Sequence, residues 1–270
     1  MSPQGSPVSG GGAPLAGRHA VVTGGGRGIG FAIAHRLAAL GASLTLVGRD
    51  RAVLDAAVRR MPAGTRCDAQ TCDVADARAV DAAFDAIRRA GHPMAILVNN
   101  AGAARSAKLA DTDDALWNGM LAINLTGAFL CTRAALPALL AAPSGRVVNV
   151  ASTAGLVGYP YIAAYCAAKH GLVGLTRALA QELAMSRVTV NAVCPGYTDT
   201  DIVADAVDNI ARRTGRSPEA ARKVLVARNP QQRLVSPDEV AGAVAWLCLP
   251  ESQAVNGQAI AVDGGEVTVG

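Results

Sequence analysis

From residue 18 onward, short runs of β-branched and aliphatic residues alternate with longer stretches of helical periodicity. This alternation is what most restricts the fold. A helix of ten or more residues between strands carries the chain back to the end it started from, so successive strands pair in parallel. The runs "HAVVTG" (19–24), "SLTLVG" (43–48), a segment near 65–70, "AILVNNAG" (95–102), "GRVVNVAS" (145–152), "RVTVNAVCPG" (187–196) and "QAIAVDGG" (258–265) read as seven strands. They are almost continuously apolar, as strands are when helices cover both faces of the sheet. The helical patterns fall at 28–40, ending at Gly41, at 49–61, stopped by Pro62, and at 76–90, 112–142, 161–185 and 237–249, with a break expected near Asn124. Residues 197–235 read as irregular apart from a short helix in "SPEAARKVLVAR", which opens with a serine cap and a proline. The prediction is an α/β fold: one doubly wound Rossmann domain over 15–270, with a seven-stranded parallel sheet and helices on both faces, preceded by a flexible Pro/Gly/Ser-rich tail over 1–14.

Composition removes several function classes. Hydrophobic residues are 51% and charged residues 17%, which suits a globular core, and the 3% aromatic content means that core is built from Ala, Val, Leu and Ile. The net charge of +4 is spread without a Lys/Arg-rich run, so no nucleic-acid partner is expected. The six cysteines form no CxxC pair and the four histidines lie far from metal-ligand spacing, so no metal is expected and the thiols read as the reduced, buried side chains of a cytoplasmic protein. The amino-terminal tail lacks the basic start and apolar core of a signal peptide, and no long uninterrupted apolar stretch predicts a membrane span.

The turn "TGGGRGIG" (23–30) follows the first strand and opens the first helix. There a dinucleotide pyrophosphate can rest on helix amino-terminal amides, and glycines let the backbone turn and approach closely. Gly24, Arg27, Gly28, Ile29 and Gly30 are therefore candidate cofactor contacts, although the spacing Gly24-x3-Gly28-x-Gly30 departs from G-x-G-x-x-G. After the second strand comes Arg49, with Gly48 where an acid would hold a free ribose 2′-hydroxyl and Asp50 placed to cap the next helix. An arginine there accommodates a 2′-phosphate, so NADP(H) is favoured over NAD(H); the alternative is that Arg27 and Arg49 are solvated loop residues.

"YCAAK" (165–169) puts a phenol and an ammonium at i and i+4, on one face of a helix. A free phenol has a pKa of ~10. An ammonium ~4 Å away, at an effective dielectric of ~20, interacts with the phenolate by roughly 4 kcal/mol. At ~1.36 kcal/mol per tenfold, that brings the phenol to roughly 7, where it serves well as a general acid/base.

The pieces "TGGGRGIG", "CDV" (72–74), "NNAG" (99–102), "AIN" (122–124), "VAS" (150–152), "YCAAK" and "PGYTDT" (195–200), in this order and spacing, resemble the short-chain dehydrogenase/reductase family from about residue 16 to 266. Within it the chain looks most like the 3-oxoacyl thioester reductase and 3-hydroxyacyl-CoA dehydrogenase branch. The resemblance implies a catalytic group of Asn124, Ser152, Tyr165 and Lys169: Ser152 holding the substrate oxygen, Tyr165 exchanging its proton, Lys169 tuning Tyr165 and gripping the nicotinamide ribose, and Asn124 holding a water. It implies adenine contacts from Asp73 and Val74, cofactor contacts along Asn100, Ala101 and Gly102, and a nicotinamide end held by Pro195, Gly196, Thr198 and Thr200. It also implies a homotetramer. A dehydrogenase of cyclic or sugar alcohols and a non-catalytic nucleotide sensor are the alternatives.

Over about 199–235 the chain departs from the family's usual acyl-reductase lid with a longer, more charged segment. Arg212, Arg213, Arg216, Arg222, Lys223, Arg228 and Arg233 stand there against Asp205, Asp208 and Glu219. As a substrate lid it would suit an anionic handle such as coenzyme A or a carrier protein's phosphopantetheine; as a solvated face it would do nothing specific.

Overall fold

The computed structural model describes residues 12–268. The strands are β1 (His19–Thr23), β2 (Ser43–Gly48), β3 (Cys67–Thr71), β4 (Met94–Asn99), β5 (Gly145–Val150), β6 (Val188–Pro195) and β7 (Ala259–Val262). All pair in parallel, in the spatial order β3-β2-β1-β4-β5-β6-β7. The helices are α1 (Gly28–Ala39), α2 (Arg51–Val58), α3 (Ala77–Arg89), α4 (Asp114–Leu121), α5 (Gly127–Ala141), α6 (Ala163–Glu182), α7 (Asp201–Thr214), α8 (Pro218–Val226) and α9 (Pro237–Cys248). This is the predicted doubly wound sheet. Its order reverses between β1 and β4, which opens a crevice at their carboxyl ends.

Strand residues alternate between two cores, as a pleated sheet requires. Val22, Leu46, Ile96, Val98 and Val148 pack with Ile33 and Leu37 of α1 and Val240 and Val244 of α9. Val21, Val47, Leu97, Val147 and Val190 pack with Phe84 and Ile87 of α3 and Leu130 and Leu139 of α5. The tail expected over 1–14 lies outside the described residues as far as residue 11. Leu15, fully buried, donates its amide to the Leu40 carbonyl at 2.8 Å.

Two expectations change. The region 197–235 is mostly helical: α7 packs on α8 through Val203, Val207, Ala221 and Leu225, with Ile210 and Tyr197 beside them. The helical spacing of Val203, Val207 and Ile210, closed by Gly215 in the left-handed region (φ 70°), is the signal the irregular reading passed over. The break near Asn124 is one π-turn, Ala122–Thr126, between α4 and α5. Its cause is local: the Asn124 side chain donates to the Met120 carbonyl at 3.0 Å, four residues back, where an α-helix would place a backbone N–H. The joined run Asp114–Ala141 is apolar and long enough to cross a bilayer, with 39% of its apolar window buried; its α5 part packs on β4 and its α4 part on α6.

At the opposite end of the sheet from the crevice, His19 is fully buried. Its ring nitrogens meet Ser43 Oγ and Thr45 Oγ1, each at 2.9 Å, and its ring stacks on His92 at 4.3 Å between centroids. Burial foremost, with His92 adding to it, holds its pKa down to about 4. Since the folded value lies below the unfolded one, the native state favours neutral His19. That contribution is full above the unfolded value of ~6.5, lost as pH falls through about 4, and amounts to about 3 kcal/mol. Urea unfolding of His19→Asn at pH 7 and at pH 4 should show a smaller acid loss of stability than the parent. Equal losses would contradict a buried neutral imidazole.

Candidate active site

The crevice begins where β1 ends. Gly24 (φ 64°) and Gly28 (φ 52°) take left-handed backbone that favours glycine. A Cβ on Gly30 would collide with the Gly24 carbonyl oxygen, so the first turn of α1 can close on the loop only as glycine. The turn is fastened to β4. Thr23 Oγ1 accepts from the Asn100 and Ala101 amides, both at 3.0 Å, and Asn100 Nδ2 donates to the Thr23 carbonyl at 3.0 Å. Whereas α2, α3, α8 and α9 each carry a side-chain cap, α1 has none and no acid in its first turn. Its leading amides, those of Gly28, Ile29 and Gly30, are left to an outside acceptor. The arrangement fits the pyrophosphate of a dinucleotide.

The other predicted cofactor residues border this crevice in different ways. Arg27 pairs with Asp201 at the start of α7 (3.4 Å), both side chains being exposed. Asp50 caps α2 as expected, accepting from the Ala52 and Val53 amides, and leaves Arg49 as the exposed charge at the end of β2. Asp73 Oδ1 accepts from the Ala75 amide at 3.0 Å, while Val74 packs inward beside Gly127. Gly196 lies tight against Asp263, Thr198 donates to the Gly196 carbonyl at 3.0 Å, and Thr200 reaches within 3.4 Å of where a Gly28 Cβ would stand. The loop that leaves β6 after Pro195 therefore returns to the glycine turn.

The catalytic candidates converge at the carboxyl ends of β4, β5 and β6. A Cβ on Gly102 would sit 2.7 Å from Asn124 Oδ1 and 3.7 Å from Lys169 Nζ, so these three meet at one point. Asn124 also donates to the Ala103 carbonyl at 2.9 Å and accepts from its amide at 3.3 Å. Its side chain is committed to clamping this loop, so the water-holding role expected of Asn124 has no free side-chain donor. Lys169 is 4% exposed and donates to the Val150 carbonyl at 2.8 Å. Ser152 caps the short turn Thr153–Gly155, accepting from the Ala154 amide at 3.1 Å. His170 turns away, to the Cys166 carbonyl.

The electrostatics correct the sequence argument. Burial pushes the Tyr165 phenol up to about 12, opposed by the neighbouring Ser152 hydroxyl. Burial likewise brings the Lys169 ammonium down to about 8. The Lys169 nitrogen stands 5.6 Å from the centre of the Tyr165 ring and is turned to a carbonyl, so it does not bring the phenol to 7. Desolvation, absent from a reckoning based on helical spacing, is the largest influence on the phenol.

A second group near the site was not foreseen: Tyr159, Tyr197, Arg228 and Glu266. With four tyrosines in the chain, three of them, Tyr159, Tyr161 and Tyr197, in the loops after β5 and β6 were a readable signal.

Comparison with known proteins agrees with this geometry. Residues 24–266 match a family profile described as enoyl-(acyl carrier protein) reductase. A "Putative ketoacyl reductase" of Streptomyces coelicolor is 40% identical over 249 residues, covering 91% of this chain and 95% of the relative. The cis-4-hydroxycyclohexanecarboxylate dehydrogenase of Sinomonas cyclohexanicum is 39% identical, covering 96% of this chain and 100% of the relative. A crystal structure of a variant actinorhodin polyketide ketoreductase with NADPH superposes with a TM-score of 0.89 at 39% identity, covering 92% of this chain and 97% of that one. The chain belongs to the short-chain dehydrogenase/reductase family and is an oxidoreductase acting between secondary alcohols and ketones.

Proposed function

We propose that this protein is a cytoplasmic, homotetrameric reductase of 3-oxoacyl thioesters that uses NADP(H). The observation that carries the chemistry is the convergence of Ser152, Tyr165 and Lys169 beside the glycine turn. Similarity to the Streptomyces relative supports the acyl substrate. The cyclohexane-ring relative supports a second reading, a dehydrogenase of cyclic alcohols, on the same residues. The family profile is described by a C=C reduction; two hydroxyls aimed at one oxygen suit a carbonyl better.

When bound, the nicotinamide supplies or removes the hydride. The chain's own groups handle the oxygen and its proton. Ser152 Oγ accepts from the Ala154 amide and its hydroxyl bonds to Tyr165, so its hydrogen would turn from the phenol to a substrate oxygen on binding. Tyr165, raised to about 12, holds its proton at neutral pH, and a positive charge bound beside it would lower that value toward the range in which a general acid works well. Lys169 stabilises the phenolate left behind. Replacing Tyr165 with Phe should lower kcat by about 10²- to 10⁴-fold in carbonyl reduction. In the parent, kcat/KM for NADPH should fall as pH rises through about 8, where Lys169 loses its charge. Parental turnover by the Phe variant, or a profile flat past pH 9, would reject these roles.

Arg49 supports the choice of NADP(H), being exposed at the end of β2 with no ion-pair partner among the described residues. Arg49→Gln should cut kcat/KM with NADPH by about tenfold or more and leave NADH nearly untouched. Equal losses with both cofactors would place the 2′-phosphate elsewhere.

The segment formed by α7 and α8 is assigned as the substrate lid. Three of its cations are engaged: Arg222 by Asp199, Arg228 by Glu266 and Arg233 by Glu239. Arg212, Arg216 and Lys223 face solvent, which suits an anionic coenzyme A or carrier-protein arm. Acetoacetyl-CoA should be turned over more efficiently than a neutral 3-oxo ester, and charge reversal at Arg212 and Arg213 should erase the difference. Equal efficiency before and after reversal would reject the handle. Exposed Trp117 and Phe129 on the α4–α5 run and Trp246 on α9 support the tetramer. The packing of α5 on β4 and of α4 on α6 supports a protein that does not span a membrane.

A further inference from the structure

We propose that Glu266 is a positioning residue that fastens the end of the lid to the loop carrying Ser152, an inference that rests on the reductase reading above. Tyr159 Oη lies 2.8 Å from both Thr153 Oγ1 and Glu266 Oε1. A phenol has one hydrogen and a carboxylate can only accept, so Tyr159 donates to Glu266 and accepts from Thr153. The same Glu266 oxygen accepts from Arg228 Nε at 3.0 Å, just beyond α8. The Arg228 guanidinium lies over the Tyr159 ring at 4.2 Å, and Tyr197 meets that ring edge-on at 6.3 Å. A directed chain of hydrogen bonds thus runs from Thr153, next to Ser152, to the lid, with Glu266 at its junction.

The carboxylate is built into place. Asp263 accepts from the Gly265 and Val267 amides at 2.9 and 2.8 Å, and Gly264 and Gly265 take φ values of 69° and 92°, so the backbone turn aims Glu266 inward. Its side chain is 5% exposed. The ion pairs at the lid's other attachments, Arg27 with Asp201, Arg222 with Asp199 and Arg233 with Glu239, have side chains 41–75% exposed, where screening weakens such pairs. Glu266 is therefore the most buried carboxylate among these pairs, and its bond from Arg228 is charge-assisted. Because α7 and α8 share their own apolar cluster, losing the anchor releases the lid as a unit without unfolding it.

The test uses the full chain. Glu266→Ala should speed amide hydrogen exchange in α8 by about tenfold or more, raise KM for acetoacetyl-CoA by a similar factor, and leave kcat and the unfolding midpoint close to parental. Glu266→Gln keeps an acceptor oxygen and should recover most of both losses. Parental exchange and KM in the alanine variant would overturn the proposal, as would a midpoint that falls equally in both variants. Should the alanine variant fail to fold, Tyr159→Phe, which deletes one hydroxyl, is read the same way: faster exchange at 151–156 supports the chain and parental exchange overturns it. If the parent reduces no 3-oxoacyl substrate, the reductase reading falls, while the exchange data still decide whether Glu266 holds the lid.

Discussion

A positive charge is buried at the centre of this molecule with a single backbone carbonyl to receive it. Lys169 is 4% exposed, and its donor contact is to the Val150 carbonyl at 2.8 Å. Burying an ammonium without a carboxylate is costly, and the group answers by giving up part of its basicity. The surroundings are shaped to admit it. Gly102 leaves room for Asn124 and the Lys169 nitrogen, and Gly155 lets the loop after β5 rest on the Lys169 backbone, where a Cβ would come within 2.7 Å of its carbonyl oxygen. The π-turn at Asn124 belongs to the same construction, since it frees a side-chain amide to clamp the loop that closes this space.

The same burial sets the phenol. Tyr165 is a strong holder of its proton, and Ser152 is the nearby group that eases it. The phenol is therefore kept protonated, and a positive group bound in the crevice would make that proton easier to give up. The glycine turn, stitched by Thr23 and Asn100 to the end of β4, puts the crevice beside the buried Lys169 and the half-buried Tyr165. Position in the sheet and proton chemistry are linked, because both depend on strand ends that meet where the strand order reverses.

Much of this was legible in the residues. Continuous apolar strands between helical patterns specify a parallel sheet, and ordered motifs place the site at its carboxyl end. Asp50 as a cap and a break at Asn124 were readable because short-range hydrogen bonding decides both. Properties set by distant parts of the chain were hidden. The Tyr165 value depends on burial by segments far away in sequence, which helical spacing does not record. Glu266 meets Tyr159 and Arg228 across separations of 107 and 38 residues. The α7 helix was missed for a different reason: its charged residues obscured the apolar face that packs on α8.

The most direct measurement follows the Tyr165 phenol itself, by carbon-13 labelling of the tyrosine rings and NMR titration of the ligand-free protein, with Tyr165→Phe assigning the signal. The account predicts that the phenol remains protonated through pH ~10, since burial places its pKa at about 12. It also predicts that oxidised cofactor moves the titration downward. A phenol that titrates near neutrality in the free protein would contradict it, because the ammonium would then be governing the tyrosine and burial would not.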